Sequence, residues 1–394
     1  MKAILISEHY DFLIGGTATY VNSVSNALAS RKIEVELIVP NTQETTDLTV
    51  VNKNNFLRIH YIGSPQILNS NYRKSRIDFV TKVNCYLERL INNLSPDILH
   101  VLVGMYLIEG LKIESLQIPS CVTLHNVPPR ECSRTWKDDA LPAYLIEKLR
   151  LNLIKAINYR RLLRHKYDAY IPGSYRFGQV LSAIIPDRKI IPIEDGFLAN
   201  IEAKASIITN SSTCHLLTIG AYIPHKGQHL ILETAAQLRD RKLDFSWTMM
   251  GTIRVQKYYD YLQKRILELD LAEHITIKAD VPRQEIDTAY ASSDIYVQPS
   301  LEEGFCITAL EAAFYQLPIV GTNEGAIAEI IRRGQGILTE PLVSSLTEAI
   351  LEIQSHPAKF TYTEEQITAL IDHYSWTRMT DELLGLYQSL IKSA

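Results

Sequence analysis

The sequence predicts an α/β protein built from two doubly wound parallel-sheet halves. Three observations lead there. Short apolar runs suited to buried strands alternate with helical periodicity along nearly the whole chain, the pattern of a parallel sheet covered by helices. The alternation lapses between Phe197 and Thr213 into small and polar residues and then restarts, as at a domain junction. A length of 394 residues is ample for two such cores. The expected domains are 1–200 and 201–375, with 376–394 a C-terminal helix that can cross back to the first.

Composition narrows the function classes. With 46% hydrophobic and 21% charged residues, the chain reads as an ordinary soluble globular protein. A net charge of −4 gives no general affinity for nucleic acid. The cysteines at 85, 121, 132, 214 and 306 are odd in number, scattered and without Cys-x-x-Cys spacing, which favours a reduced cytosolic compartment and argues against zinc. The apolar run from Ala3 to Ile6 is too short for a signal-peptide core, and no stretch approaches membrane-crossing length. A cytoplasmic protein is expected.

In the first half, residues 3–7 form a strand. A loop with Gly15-Gly16 follows, then a helix with apolar residues at 21, 24, 27 and 28 and with Thr17 or Thr19 as cap. Such a loop can receive an anion or can be a simple tight turn. It is not the dinucleotide fingerprint, because no G-x-G-x-x-G is present. Further strands are expected at Val35–Val39, Phe56–Tyr61, Ile98–Val103, Ser120–Leu124, Tyr167–Pro172 and Lys189–Pro192, with a helix over 76–94. His125 ends the strand at Ser120–Leu124, where open α/β sheets collect ligands; a lone histidine there is more often a surface or core-edge residue, and only agreement with other features reverses that. Residues 143–166 form a basic helical stretch carrying Arg160, Arg161 and Arg164. It suits either contact with anionic lipid or the solvated outside of a sheet.

The second half opens with the strand Leu216–Gly220, a loop ending in Lys226-Gly227 and a helix over Gln228–Arg239. Lys226 can meet a ligand phosphate or be a solvated loop lysine. Strands are expected at Phe245–Met250, His274–Lys278, Asp294–Gln298 and Pro318–Gly321, with helices in Asp280–Tyr290 and Gly325–Ile331. A last strand at Gly336–Leu338 precedes two C-terminal helices, the final one starting near Trp376.

The chain is organised around Pro299–Ala313, which reads as a strand end, a glycine-containing loop and a helix. Glu303 and Glu311 are separated by seven residues, so both can point toward whatever sits at the helix N-terminus. Backbone N–H groups around Phe305 to Thr308 would attract phosphate there. One anion and several hydroxyls can be bound together.

This stretch resembles the Pro-Ser-x-x-Glu-Gly-Phe-Gly-x-x-x-x-Glu-Ala pattern of retaining glycosyltransferases of the GT-B type, in the group 1 and family 4-like set. Gly15-Gly16, Lys226-Gly227, Asp195-Gly196 and Ser375-Trp376 match in order, so the resemblance covers nearly the whole chain. It implies two Rossmann-like domains facing each other across a cleft, the second holding a nucleoside diphosphate sugar. By the resemblance, Glu311 binds the ribose and Glu303 the donor sugar. Phe305, Cys306, Ile307 and Thr308 offer N–H groups, Lys226 and Gly16 meet the diphosphate, His125 contacts the sugar near the reacting carbon, and Gly220, Gly251 and Val281 line the donor and base site. His125 and Glu303 are thus the catalytic candidates.

The implied activity is metal-independent transfer of a hexose with retention, from UDP-glucose or another UDP-hexose and next from GDP-mannose. The acceptor is a glycan or lipid-linked molecule of polysaccharide synthesis, on loops near 64–75, 104–109 and 126–140. No other cofactor is implied, and the protein would sit peripherally on the inner membrane face. Two departures stand out. Ala221 replaces the arginine usual after the glycine, leaving Arg254, Arg283, His225 or nothing in its place, and Cys306 replaces a glycine. A non-catalytic nucleotide-sugar-binding scaffold and a sugar epimerase of the same architecture remain alternatives.

Overall fold

The computed structural model describes residues 1–8, 16–41, 48–63, 72–103, 105–125, 166–197, 213–301 and 303–393. Among these, one unit takes the residues up to 125, 166–197 and those from Tyr374 onward, and the other takes 213 to His373.

The first unit carries a seven-stranded sheet in the order β3-β4-β2-β1-β5-β6-β7. The strands are β1 (Lys2–Ser7), β2 (Glu34–Asn41), β3 (Leu48–Asn54), β4 (Leu57–Gly63), β5 (Ile98–Val103), β6 (Ser120–Leu124) and β7 (Ala169–Pro172). All pairings are parallel except β3 with β4. Strand alternation sends Ile4 and Ile6 to one core and Ala3 and Leu5 to the other, which is why β1 reads as one apolar run. The first core is closed by α2 (Tyr72–Leu94), α3 (Met105–Gly110) and α4 (Tyr175–Ile184), through residues such as Phe79, Leu107 and Leu181. The second is closed by α1 (Gly16–Ser30) together with the C-terminal helix Trp376–Ser393, through Val21, Val24, Leu383 and Leu386.

The second unit carries a wholly parallel six-stranded sheet, β10-β9-β8-β11-β12-β13. Its strands are β8 (Cys214–Ile219), β9 (Phe245–Gly251), β10 (Ile275–Ala279), β11 (Ile295–Gln298), β12 (Ile319–Thr322) and β13 (Gly336–Thr339). In chain order its helices are α5 (Gln228–Asp240), α6 (Gln256–Glu268), α7 (Arg283–Ala291), α8 (Ile307–Phe314), α9 (Ile327–Arg333), α10 (Val343–Ser355) and α11 (Glu364–His373); the C-terminal helix Trp376–Ser393 is α12. Its core joins Trp247 and Met249 to Leu232, Tyr258 and Ile350. Because β8 lies between β9 and β11, the chain leaves it in one direction and returns on the other side, the switch point where such sheets bind ligands.

Several expectations are corrected. Lys189–Pro192 is no strand; Tyr170 pairs with Ile190 as an isolated bridge, and Pro192 has no N–H with which to extend it. Helix α1 opens at Gly16, so neither Thr17 nor Thr19 stands at its cap. Three α-helices rather than two follow β13, with a 3₁₀ turn at Pro357–Phe360 between the first two. Gly15, the acceptor-loop residues 64–71, 104 and 126–140, and the basic stretch up to residue 165 lie outside the described residues. No described helix is long and apolar enough to cross a membrane.

Candidate functional site in the second unit

The loop after β8 is built to present Lys226. Gly220 N–H donates to Met250 O at 2.9 Å and Tyr222 N–H to Thr252 O at 2.8 Å, tying the loop to the end of β9. The buried Tyr222 hydroxyl lies 2.9 Å from Met249 O and 2.7 Å from Lys278 O. A 3₁₀ turn, Pro224–Lys226, then leads to Gly227, whose φ is 72°. A Cβ on Gly227 would lie 2.0 Å from Pro299 O, so only glycine allows this loop to meet the one after β11. Leu301 N–H donates to His225 O at 2.8 Å and joins the two.

That second loop carries a buried chain of side chains ending on Glu303. Tyr296 OH donates to Gln298 Oε1 at 2.6 Å, Gln298 Nε2 to Ser300 Oγ at 2.7 Å, and Ser300 Oγ to Glu303 Oε2 at 2.9 Å. Lys226 Nζ meets both Glu303 oxygens, at 2.9 and 2.6 Å. Burial opposes the charge on each group, and the pairing outweighs it: the Glu303 carboxyl is held below its ordinary range and the Lys226 ammonium above its own.

Helix α8 starts just beyond. Its N-cap, Cys306, has φ 62° and ψ 64° and gives no side-chain cap. Ala309 and Leu310 N–H both reach Cys306 O, so the N–H groups of Ile307 and Thr308 find no partner within the helix and form the donor end of its dipole. Phe305 and Cys306 are buried against this turn. Burial first, then the neighbouring Glu303 charge, pushes the Cys306 thiol up to about 12.

Glu311 lies about one turn into α8 and is 6% exposed. Arg283 Nη1, from α7, donates to its Oε1, and the Tyr290 hydroxyl lies 3.0 Å from Oε2 and 2.9 Å from Thr308 O. Tyr315 stacks on Tyr290 at 5.0 Å and donates to Asp287 at 3.0 Å, and Asp287 also receives Arg283. Each carboxylate oxygen of Glu311 therefore keeps a lone pair beyond the one it uses. Gly251 ends β9 and Val281 stands two residues beyond the adjacent strand β10: Asp280 N–H donates to Gly251 O at 3.0 Å, and a Cβ on Gly251 would sit 1.9 Å from Gly220 O. Val281 is half-buried.

The structure thus brings together Gly220, Lys226, Glu303, Phe305, Cys306, Ile307 and Thr308 around two loops, with Glu311, Gly251 and Val281 on the elements beside them. His125 and Gly16 belong to the first unit, His125 at the end of β6 and Gly16 at the start of α1. Sequence reasoning missed Tyr296, Gln298, Ser300 and Tyr290, whose roles appear only through contacts. Of the substitutes for arginine at position 221, Arg283 is engaged with Glu311 and Asp287, Arg254 is exposed, and His225 stands beside Lys226 in the 3₁₀ turn. Among the described residues, no group of three or more His, Cys, Asp or Glu is placed to hold a metal ion.

The family model "Glycosyltransferase Family 4" matches residues 14–194 and the model "Glycosyl transferases group 1" matches 201–367. D-inositol 3-phosphate glycosyltransferase of Paenarthrobacter aurescens is 33% identical over 129 residues, 32% of this chain and 31% of that protein. The GDP-mannose-dependent alpha-(1-6)-phosphatidylinositol monomannoside mannosyltransferase of Mycolicibacterium smegmatis is 24% identical over 153 residues, 36% of this chain and 39% of that one. These alignments span well under half of the relatives' lengths. Among solved structures, Anabaena HepE in complex with UDP and glucose superposes with a TM-score of 0.69 at 15% identity, covering 99% of this chain and 100% of that one. With both halves matched by family models and the fold shared end to end, the chain belongs to the GT-B glycosyltransferases.

Proposed function

We propose that the protein transfers a hexose from a nucleoside diphosphate sugar to a glycan or lipid-linked acceptor, with retention at the anomeric carbon. The observation that carries the reading is the Lys226–Glu303 pair set beside the uncapped N-terminus of α8. As the sugar–phosphate bond breaks, positive charge grows on the anomeric carbon and negative charge on the departing diphosphate. Lys226 and the N–H groups of Ile307 and Thr308 stabilise the latter. Glu303, released from Lys226, accepts hydroxyls of the hexose, and the free lone pairs of Glu311 accept those of the ribose. The acceptor hydroxyl attacks from the face the diphosphate leaves, and a diphosphate oxygen takes its proton. This reading needs no divalent metal.

UDP-glucose or another UDP-hexose is the first donor proposed, in line with the UDP and glucose of the HepE complex. GDP-mannose is the second, in line with the named donor of the mycobacterial relative. A peripheral place on the cytoplasmic membrane face belongs to the same reading and rests on the basic residues of 143–166 in the sequence.

The test is a panel of UDP-, GDP- and ADP-sugars, read by protection against heat, by nucleoside diphosphate release with EDTA present, and by NMR of the anomeric configuration of the product. Protection and release with retained configuration are expected. Neither protection nor release with any donor would overturn the reading. Binding without turnover would favour a scaffold, which the absence of an arginine at position 221 would explain, and an altered free sugar would favour an epimerase.

A further inference from the structure

A second constellation lies wholly within the first unit, where residues 193–197 are fixed from several sides. Ile193 N–H donates to Pro172 O at 3.1 Å and Phe197 N–H to Tyr374 O at 2.7 Å. Arg378 Nη2 donates to Glu194 O at 2.7 Å. Gly196 packs so closely under Trp376 that a Cβ there would lie 2.5 Å from its Cδ2. The side chain delivered by this clamp is Asp195, which is 6% exposed.

Asp195 Oδ2 lies 3.1 Å from His125 Nε2, and the Tyr20 ring meets the imidazole edge-on at 4.3 Å. His125 Nε2 and Asp195 Oδ1 are buried atoms that make no hydrogen bond. The 3.1 Å approach is short enough for one but out of line. A buried carboxylate oxygen and a buried ring nitrogen left unsatisfied side by side are costly, so a merely structural contact would have closed. Catalytic hydrogen bonds, by contrast, are often misaligned without substrate and tighten with it.

We propose that Asp195 is the positioning residue of His125. A carboxylate beside Nε2 favours the tautomer protonated there and fixes the plane of the ring. Nδ1, on the other edge of the ring, is left with a lone pair that can accept a hydroxyl of the sugar being transferred. Tyr20 blocks rotation of the ring away from this pose. The identity of the group at Nδ1 rests on the glycosyl-transfer reading above, whereas the tautomer does not.

The experiment is NMR of protein labelled with ¹⁵N-histidine, with the His125 signals identified by their loss in His125→Asn. Wild type is expected to show His125 protonated on Nε2 near pH 8. Asp195→Asn is expected to shift it toward the Nδ1–H form, and Asp195→Glu to restore Nε2–H at least in part. In parallel, Asp195→Asn is expected to lower kcat at least tenfold while changing the donor KM and the nucleoside diphosphate Kd less than twofold. Unchanged ¹⁵N shifts in a folded Asp195→Asn protein would overturn the proposal. If that variant does not fold, a wild-type His125 protonated on Nδ1 would overturn it and one protonated on Nε2 would support it. Should no donor be turned over by wild type, the glycosyl-transfer reading fails while the tautomer result still decides the Asp195–His125 relation.

Discussion

Lys226 Nζ sits within 3 Å of both oxygens of Glu303, so the cation expected on a diphosphate and the carboxylate expected on a hexose neutralise each other. Both side chains are largely buried, at 19% and 9% exposed. Removing one partner leaves an uncompensated charge, at a cost of about 3 kcal/mol. Lys226→Met and Glu303→Gln should each destabilise the protein, and the double variant should be less destabilised than the two added together. Denaturant unfolding of the four proteins measures the coupling.

The same pair fixes a pH window. Glu303 has a depressed pKa in the folded state, so its contribution is complete above the ordinary carboxylate value of 4.5 and is lost as pH falls through the lower folded value. Lys226 has a raised one, so its contribution is complete below 10.5 and lost as pH rises above it. The coupling energy should therefore be flat from about pH 5 to 10 and collapse on the acid side. A coupling that declines steadily between pH 5 and 8 would show that another group controls the pair.

Nucleotide binding should draw on Lys226 directly. If the diphosphate takes the ammonium, Lys226→Met should weaken UDP or GDP by tenfold or more, about 1.4 kcal/mol, and should flatten the salt dependence of binding. Isothermal titration at two ionic strengths checks both. Glu303→Gln should tighten the nucleoside diphosphate rather than weaken it, because it frees the Lys226 ammonium from its partner, while the partner of Glu303 itself in the donor is the sugar.

Much of this site was legible because its parts are local. Glu303 and Glu311 declare themselves by spacing, and the helix that carries Glu311 by composition, so the loop after β11 could be read from one short stretch. The paired parallel sheets likewise follow from alternating strand and helix patterns. The relationships between distant segments were not legible. Arg283 reaches Glu311 across 28 residues, and Asp195 reaches His125 only because β6 and β7 lie side by side and Tyr374 and Trp376 return to clamp residues 193–197. Edge strand β3 escaped notice because Leu48, Val50 and Val51 are exposed and mixed with polar residues, leaving no face to betray a core.

Cys306 holds a left-handed backbone conformation, φ 62°, that costs an L-residue about 1–2 kcal/mol. Cys306→Gly relieves that cost but loses a buried thiol, so its stability should remain within about 1 kcal/mol of wild type. Cys306→Val adds a β-branched side chain to a conformation it avoids and should cost about 2 kcal/mol or more. With its thiol pushed up to about 12, native Cys306 should also resist iodoacetamide at pH 8, where the exposed Cys85 reacts. Mass spectrometry of the alkylated peptides separates the two.

The C-terminal helix is tied to the first sheet by a buried histidine. His100, buried on β5, has its Nδ1 2.6 Å from Tyr387 OH of α12 and its Nε2 2.8 Å from Thr123 Oγ1 on β6, while Tyr20 OH of α1 lies 3.2 Å from the same threonine oxygen. The chain of groups joins two sheet strands to both helices that cover this face. Burial is the main reason that the His100 imidazole is held down to about 3, with the nearby His125 adding to it. A base that is neutral when folded and titrates near 6.5 when unfolded gives its full stability above 6.5. That stability is lost progressively as pH falls toward the folded value, because the unfolded chain binds the proton first. Stability should therefore drop by a few kcal/mol between pH 6.5 and 4, with His229, held down to about 4 by burial, contributing in the same direction. Tyr387→Phe leaves His100 Nδ1 without its partner and should cost about 1–2 kcal/mol at pH 7.5. His100→Gln should be destabilised at pH 7.5 yet lose part of the slope below 6.5, so unfolding curves taken at half-unit pH steps for the three proteins distinguish the titration from the packing. An unchanged slope in His100→Gln would assign the acid sensitivity to His229 and the carboxylates instead.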